Sequence, residues 1–147
     1  MTSVDANLLL FAFSAHSPFH EKAHAFLSGL GPREDVAVSE FVLTEFYLHL
    51  RNPAVLKSPL SAPDAVAVIE LYRRHPRWQV VGFPLHGRAL HDELWKRAGA
   101  DNFARRRIYD TRTALALRAH GVSDFATANV KDFQDFGFHR VWNPLVG

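Results

Sequence analysis

The sequence predicts an α/β protein, a three-layer α/β/α sandwich around a central, mostly parallel sheet of four to five strands. Short apolar runs alternate with longer segments of helical character from end to end, the pattern of strands joined by right-handed helical crossovers. Several longer segments place apolar residues at helical spacing, as at Phe19, Ala23, Phe26 and Leu27, so one face of each is built to cover a sheet. The bulk numbers agree: 147 residues, 48% hydrophobic and 22% charged, describe a globular chain about one domain long. One domain over residues 1–147 is therefore expected.

The elements follow in order. Ser3 to Leu10 is continuously apolar or small apart from Asp5 and Asn7, and reads as a buried strand running into a helix. Ser17-Pro18 has the form of an N-cap followed by Pro at the first helical position, opening a helix to about Leu27 that Gly29 and Gly31 end. Val36 to Val38 is a second strand, and Ser39 caps a helix to about Arg51 that Asn52-Pro53 stops. After a proline-containing loop, Ser61 or Asp64 begins a helix to about His75. Trp78 to Phe83 is a third strand, and His86 to Arg97 a helix closed by Gly99. Asp101 to Arg107 reads as an exposed loop, and Ile108 to His120 as a helix with Gly121 as its left-handed cap. Ser123 to Val130 is a fourth strand, Asp132 to Gly137 a turn, and His139 to Trp142 a short last strand.

Composition narrows the chemistry. No apolar run approaches the roughly 18 residues of a membrane span, and the N-terminus lacks a signal-peptide pattern, so a soluble, cytoplasmic protein is expected. Without Cys there are no disulfides and no thiolate zinc sites. A metal would be held by carboxylates, imidazoles or carbonyls, and carboxylates favour Mg²⁺ or Mn²⁺. The net charge of +2 does not establish nucleic-acid binding; the clusters Arg73, Arg74, Arg77 and Arg105, Arg106, Arg107 read first as solvated faces.

Three acids are out of place for a globular pattern. Asp5 stands in an apolar run, where an unpaired charge would cost several kcal/mol to bury. Glu45 has Phe41, Val42, Leu48 and His49 as its helical neighbours and is expected on the apolar stripe. Asp110 falls in the first turn of its helix, on the side continued by Ala114 and Leu117. Asp5 and the Thr127 to Asp132 turn would lie at the carboxyl ends of strands, where parallel sheets gather functional groups. Clustered carboxylates repel unless cations lie between them, and two such cations can drive phosphodiester hydrolysis. Capping, ion pairing and helix-dipole roles compete for each acid singly. His16, His20 and His24 are spaced by four but read as a solvated face. The aromatic residues Phe41, Phe46, Tyr47, Phe133, Phe136 and Trp142 read as core or interface.

These residues carry a family resemblance. Val4-Asp5-Ala6-Asn7-Leu8-Leu9, Leu43-Thr44-Glu45-Phe46, Tyr109-Asp110-Thr111-Arg112-Thr113-Ala114 and Thr127-Ala128-Asn129-Val130-Lys131-Asp132-Phe133, with Asn143-Pro144-Leu145, resemble the PIN domain and its VapC-type ribonuclease toxins over nearly the whole chain. The resemblance implies an endoribonuclease dependent on Mg²⁺ or Mn²⁺, a cognate antitoxin that covers the acidic site, and a homodimer. It carries Asp5, Glu45 and Asp110 over as the family's first three acids. The fourth position, two after Thr127, holds Asn129, which would coordinate through its carbonyl, while Asp132 would supply the missing carboxylate and Asp124 is the weaker substitute. Asn7, Thr44 and Thr127 would support the site, and Arg105, Arg106, Arg107 and Arg112 would meet RNA phosphates. In-line attack of activated water would leave a 5′-phosphate and a 3′-hydroxyl. The rival readings are a non-catalytic PIN-like module that binds RNA or protein through a degenerate site, and a phosphoacceptor domain, which lacks its adjacent acidic pair here.

Overall fold

Thr2, Ser3 and Val4 are buried on both faces, as the central strand of a parallel sheet must be, and they form β1 (Thr2–Val4). The computed structural model describes residues 1–146. Asp5 caps α1 (Ala6–Phe13), and α2 (His20–Leu30) returns to β2 (Ala37–Ser39). The second helix starts later than Ser17-Pro18 suggests, because the Ser17 hydroxyl accepts from the Phe19 amide and closes a separate turn. Gly29 lies within that helix rather than ending it.

Ser39 ends β2 and caps α3 (Glu40–Leu50), its hydroxyl accepting from the Phe41 amide at 3.1 Å. Ser61 does the same for α4 (Ala62–Arg73) through the Asp64 amide, and β3 (Gln79–Val81) follows. Next come α5 (Gly87–Ala98) and α6 (Arg107–Ala119). Past the end of α6, Gly121 takes φ +84°, a conformation that L side chains rarely adopt, and the Val122 amide closes on the Leu117 carbonyl. Then β4 (Asp124–Ala126), a 3₁₀ helix over Val130–Phe136 in place of the expected turn, and β5 (Arg140–Trp142) complete the sheet.

All strand pairs are parallel. β1, β4 and β5 form one ladder in that spatial order, and β2 pairs with β3. A parallel bridge between Thr2 and Val36 and a bond from the Ser3 hydroxyl to the Ala37 carbonyl join the two, giving the order β3-β2-β1-β4-β5. The sheet alternates side chains between two cores. Val4, Val36, Val38 and Ala126 pack with the apolar faces of α1 to α4, and Ala37, Val81 and Phe125 with α6 and the 3₁₀ helix. The predicted three layers are therefore present. Among the described residues no helix is long and apolar enough to cross a membrane.

Candidate active site

The pairing of β1 with β4 builds the first part of the site. Val4 stands opposite Ala126, so the next residues, Asp5 and Thr127, emerge side by side at the carboxyl ends of their strands. The Asp5 amide continues the ladder onto the Ala126 carbonyl at 2.9 Å. The Asp5 carboxylate is held at both oxygens. Oδ1 accepts from the Ala6 amide at 2.8 Å, as an N-cap does, and Oδ2 accepts from Thr127 Oγ1 at 2.6 Å. Asn7 closes the corner: its Nδ2 lies 3.4 Å from Asp5 Oδ2, and its Oδ1 accepts from the Ala128 amide.

Burial sets the charge of this group. Asp5 is 6% exposed, and desolvation pushes its pKa from 3.8 up to about 7. The Thr127 hydrogen bond pulls the other way, and Glu45 and Asp110 repel the carboxylate further upward. Asp110, in the first turn of α6, is raised to about 6, first by burial and then by Glu45 and Asp132, with Arg107 opposing. Glu45 therefore acts on both acids, the buried Asp5 and the half-buried Asp110. Three elements bring their acids together at one end of the sheet.

Glu45 itself corrects the sequence expectation. The buried stripe of α3 is Val42, Leu43, Phe46 and Leu50, whereas Glu45 lies beside that stripe with its side chain 48% exposed. Its one ion-pairing neighbour among the described residues is His49, at 3.7 Å. Thr44 bonds back to the Glu40 carbonyl and also faces the open cleft. That cleft, of about 550 Å³, runs between α3 and α6 and includes Glu45, His49, Arg106, Asp110 and Arg112.

The fourth corner divides by chemistry. Asn129 is exposed, and its contribution is its amide, which donates to Thr127 Oγ1 at 2.9 Å. Asp132, in the 3₁₀ helix, is half-buried and its charge acts on Asp110. Asp124 stands at the opposite, amino end of β4, bonded to the Ser123 hydroxyl, and is outside the site. The three consecutive arginines also separate. Arg105 is exposed, Arg106 reaches the cleft, and Arg107 donates to the Asp132 carbonyl at 2.8 Å. Arg112 lies over the rings of Phe41, Tyr109 and Phe83, with 4.6 Å to the Phe41 centroid. This aromatic enclosure has no sequence spacing to announce it, since its rings come from three separate segments. Of the spaced histidines, His20 bonds the Phe11 carbonyl and its ring lies 6.0 Å from that of His24.

The donors available at the strand ends are oxygens, the set that suits a hard cation such as Mg²⁺. Two of the carboxylates carry raised pKa values from burial and from the charge of neighbouring acids, which a bound cation would offset. Among the described residues no three acidic or imidazole side chains close into a ready-made metal cage. A cation would therefore bind by a few carboxylates and retain water, as Mg²⁺ commonly does.

An all-parallel sheet with acids gathered where β1 and β4 end defines a class, and residues 3–137 match the PIN domain model. The chain belongs to the PIN-domain family. Within that family it is 46% identical over 146 residues to the Ribonuclease VapC24 of two Mycobacterium tuberculosis strains, covering 99% of this chain and 98% of each relative. The fold also matches VapBC2 from Rickettsia felis bound to promoter DNA, with TM-score 0.64, 17% identity and 97% of each chain covered. A second match is Mycobacterium tuberculosis VapC20, described as a sarcin-ricin loop cleaving toxin. It gives TM-score 0.62 and 18% identity over 85% of this chain and 87% of that one.

Proposed function

We propose that this chain is a divalent-metal-dependent endoribonuclease, the toxin of a toxin–antitoxin pair, acting as one nuclease domain. The observation that carries the reading is the convergence of Asp5, Asp110 and Glu45, where the carboxylates of Asp5 and Asp110 are pushed toward neutral pH by burial and by the charge of Glu45. The VapC24 ribonucleases, matched over nearly their whole length, support it.

Asp5, Glu45, Asp110 and Asp132 would hold Mg²⁺ or Mn²⁺, with Asn129 as an alternative neutral oxygen donor. The ion, when bound, would neutralise the carboxylates, activate water and stabilise charge on the leaving oxygen. The protein's own part is positioning. Thr127 and Asn7 hold Asp5 in place, and the Thr127 hydroxyl favours its ionised form, so the acid nearest the sheet is oriented before any ligand arrives. Arg106 and Arg112, at the cleft, would take the RNA phosphates; Arg107 instead steadies Asp132 and offsets the charge of Asp110.

The proposed partners are RNA, a cognate antitoxin that covers the cleft, and a second copy of the chain. The test is cleavage of single-stranded RNA by the purified protein with Mg²⁺ or Mn²⁺ and with EDTA, beside Asp5→Asn and Asp110→Asn. Activity only in the wild type with metal is expected, whereas equal activity in all three proteins would sink the reading.

A further inference from the structure

Beside the acidic cleft lies a second concavity that the carboxylate chemistry leaves unused. It encloses about 200 Å³ between α5 and α6 and is lined by His91, Leu94, Trp95, Ile108, Tyr109 and Arg112. Tyr109 and Arg112 also line the acidic cleft, so the two spaces share a wall. His91, Leu94 and Trp95 are one helical stripe of α5, spaced three and four apart.

This surface is unusually aromatic for a position open to solvent. Trp95 is 63% exposed, Tyr109 69% and Phe83 57%. Large exposed rings grouped together mark a binding surface more often than a solvated one. Two of them flank a cation: the Arg112 guanidinium lies 5.6 Å from the Tyr109 centroid and 5.7 Å from that of Phe83, and its Nε is buried with no hydrogen-bond partner among the described residues. Phe83 in turn packs on Phe41 at 4.7 Å and reaches His91 at 5.9 Å. A cation set among solvent-exposed rings, beside the cleft that holds Glu45 and Asp110, is the combination that recognises single-stranded RNA: a charge for the backbone and platforms for unstacked bases.

Resting on the RNA-hydrolase reading above, we propose that Tyr109 and Trp95 form a nucleobase subsite next to the acidic cleft, with Arg112 holding the phosphate between them. The occupant is one unpaired base of the RNA substrate. Duplex RNA, whose bases are stacked inward, does not present such a face, so the subsite selects single-stranded segments.

The test uses the whole protein in EDTA, where binding is read without cleavage. Fluorescence anisotropy with a short labelled oligouridylate should show affinity falling roughly 5- to 100-fold in Tyr109→Ala and in Trp95→Ala, the loss of one stacked base. Tyr109→Phe and Trp95→Phe, which keep a ring, should bind within about twofold of wild type. An oligomer with abasic sugars should bind wild type as weakly as the uridylate binds Tyr109→Ala. Equal affinity for abasic and base-bearing RNA would overturn the subsite, as would failure of the wild type to bind the uridylate. Unchanged RNA affinity with a dimer-to-monomer shift in sedimentation would instead assign the rings to a contact between copies. Cleavage of the same RNA by wild type with Mn²⁺ is scored separately. Cleavage without ring-dependent binding removes the subsite and leaves the hydrolase, and ring-dependent binding without cleavage does the reverse.

Discussion

Two walls of the acidic site are built by opposite means. On the sheet side, Asp5 is buried, caps a helix, and is bonded through both oxygens to Ala6, Thr127 and Asn7. On the helix side, Glu45 stands half open to solvent with His49 as its ion-pairing neighbour among the described residues. The buried wall is oriented in advance and carries its charge at the expense of stability; the open wall stands in solvent. Under the proposed function, the difference would separate two tasks within one cluster, fixing a ligand position and adapting to what enters.

The largest effect that tests this division is on cleavage. Asp5→Asn should reduce RNA cleavage with Mn²⁺ by at least ~100-fold, as loss of a fixed carboxylate does in metal-assisted hydrolysis, and Glu45→Gln by about tenfold. Initial rates at saturating Mn²⁺ decide it. If Glu45→Gln is as damaging as Asp5→Asn, the open wall fixes the ligand as firmly as the buried one and the comparison fails.

The next effect is thermodynamic. The folded pKa of Asp5, about 7, lies above its unfolded value of 3.8, so the fold prefers the protonated acid. Its stabilising contribution is complete below pH 3.8, declines as pH rises toward 7, and is absent above that. Asp5→Asn should therefore stabilise the metal-free protein at pH 8 by about 2 kcal/mol, or roughly 4–8 °C in Tm. The gain should shrink toward zero near pH 4. Thermal unfolding in EDTA at both pH values measures it, and a mutant less stable than wild type at pH 8 would contradict a destabilising burial of the Asp5 charge.

These contrasts show what was legible in the sequence and why. The alternation of short apolar runs with capped helices identified every strand and α-helix but not the 3₁₀ helix, because Ser39, Ser61 and Gly121 perform at their positions the capping that their chemistry suggests. Strand ends were less legible. Ser123 to Val130 is apolar enough for a long strand, yet β4 stops at Ala126, because Thr127 turns its hydroxyl to Asp5 and to the Asn129 amide and the chain enters a 3₁₀ helix. Asp5 stood out because a charge in an apolar run needs a partner. The exposure of Glu45 did not, because apolar neighbours at three- and four-residue spacing flank a helical stripe as well as fill it. The rings around Arg112 gave no periodic signal at all, since they converge only when α3, α6 and the segment after β3 are packed.

A smaller effect isolates the orientation of Asp5 from its charge. Thr127 is fully buried, and its hydroxyl lowers the Asp5 pKa against the pull of desolvation. Thr127→Val keeps the shape and removes the donor, so the Asp5 pKa rises further and the acidic limb of the pH–rate profile moves to higher pH. Activity at pH 7 should fall about tenfold and recover in part at pH 9, while Thr127→Ser stays near wild type. A profile that falls in height without moving along the pH axis would mean that the hydroxyl acts on geometry alone.

The smallest effect completes the comparison from the other wall. The Glu45 side chain is 48% exposed and its contact with His49 is 3.7 Å long, so solvent already screens its charge. Glu45→Gln should leave the stability of the metal-free protein within about 0.5 kcal/mol at any pH from 5 to 8, even though Glu45 lies close enough to raise the pKa values of Asp5 and Asp110. Relief of that repulsion is the one term with a direction. It favours ionised Asp5 and Asp110, so any measurable change in Tm should be a slight rise, greatest above pH 7. A fall of several degrees would show that Glu45 is held as tightly as Asp5, and that the two walls are one rigid site.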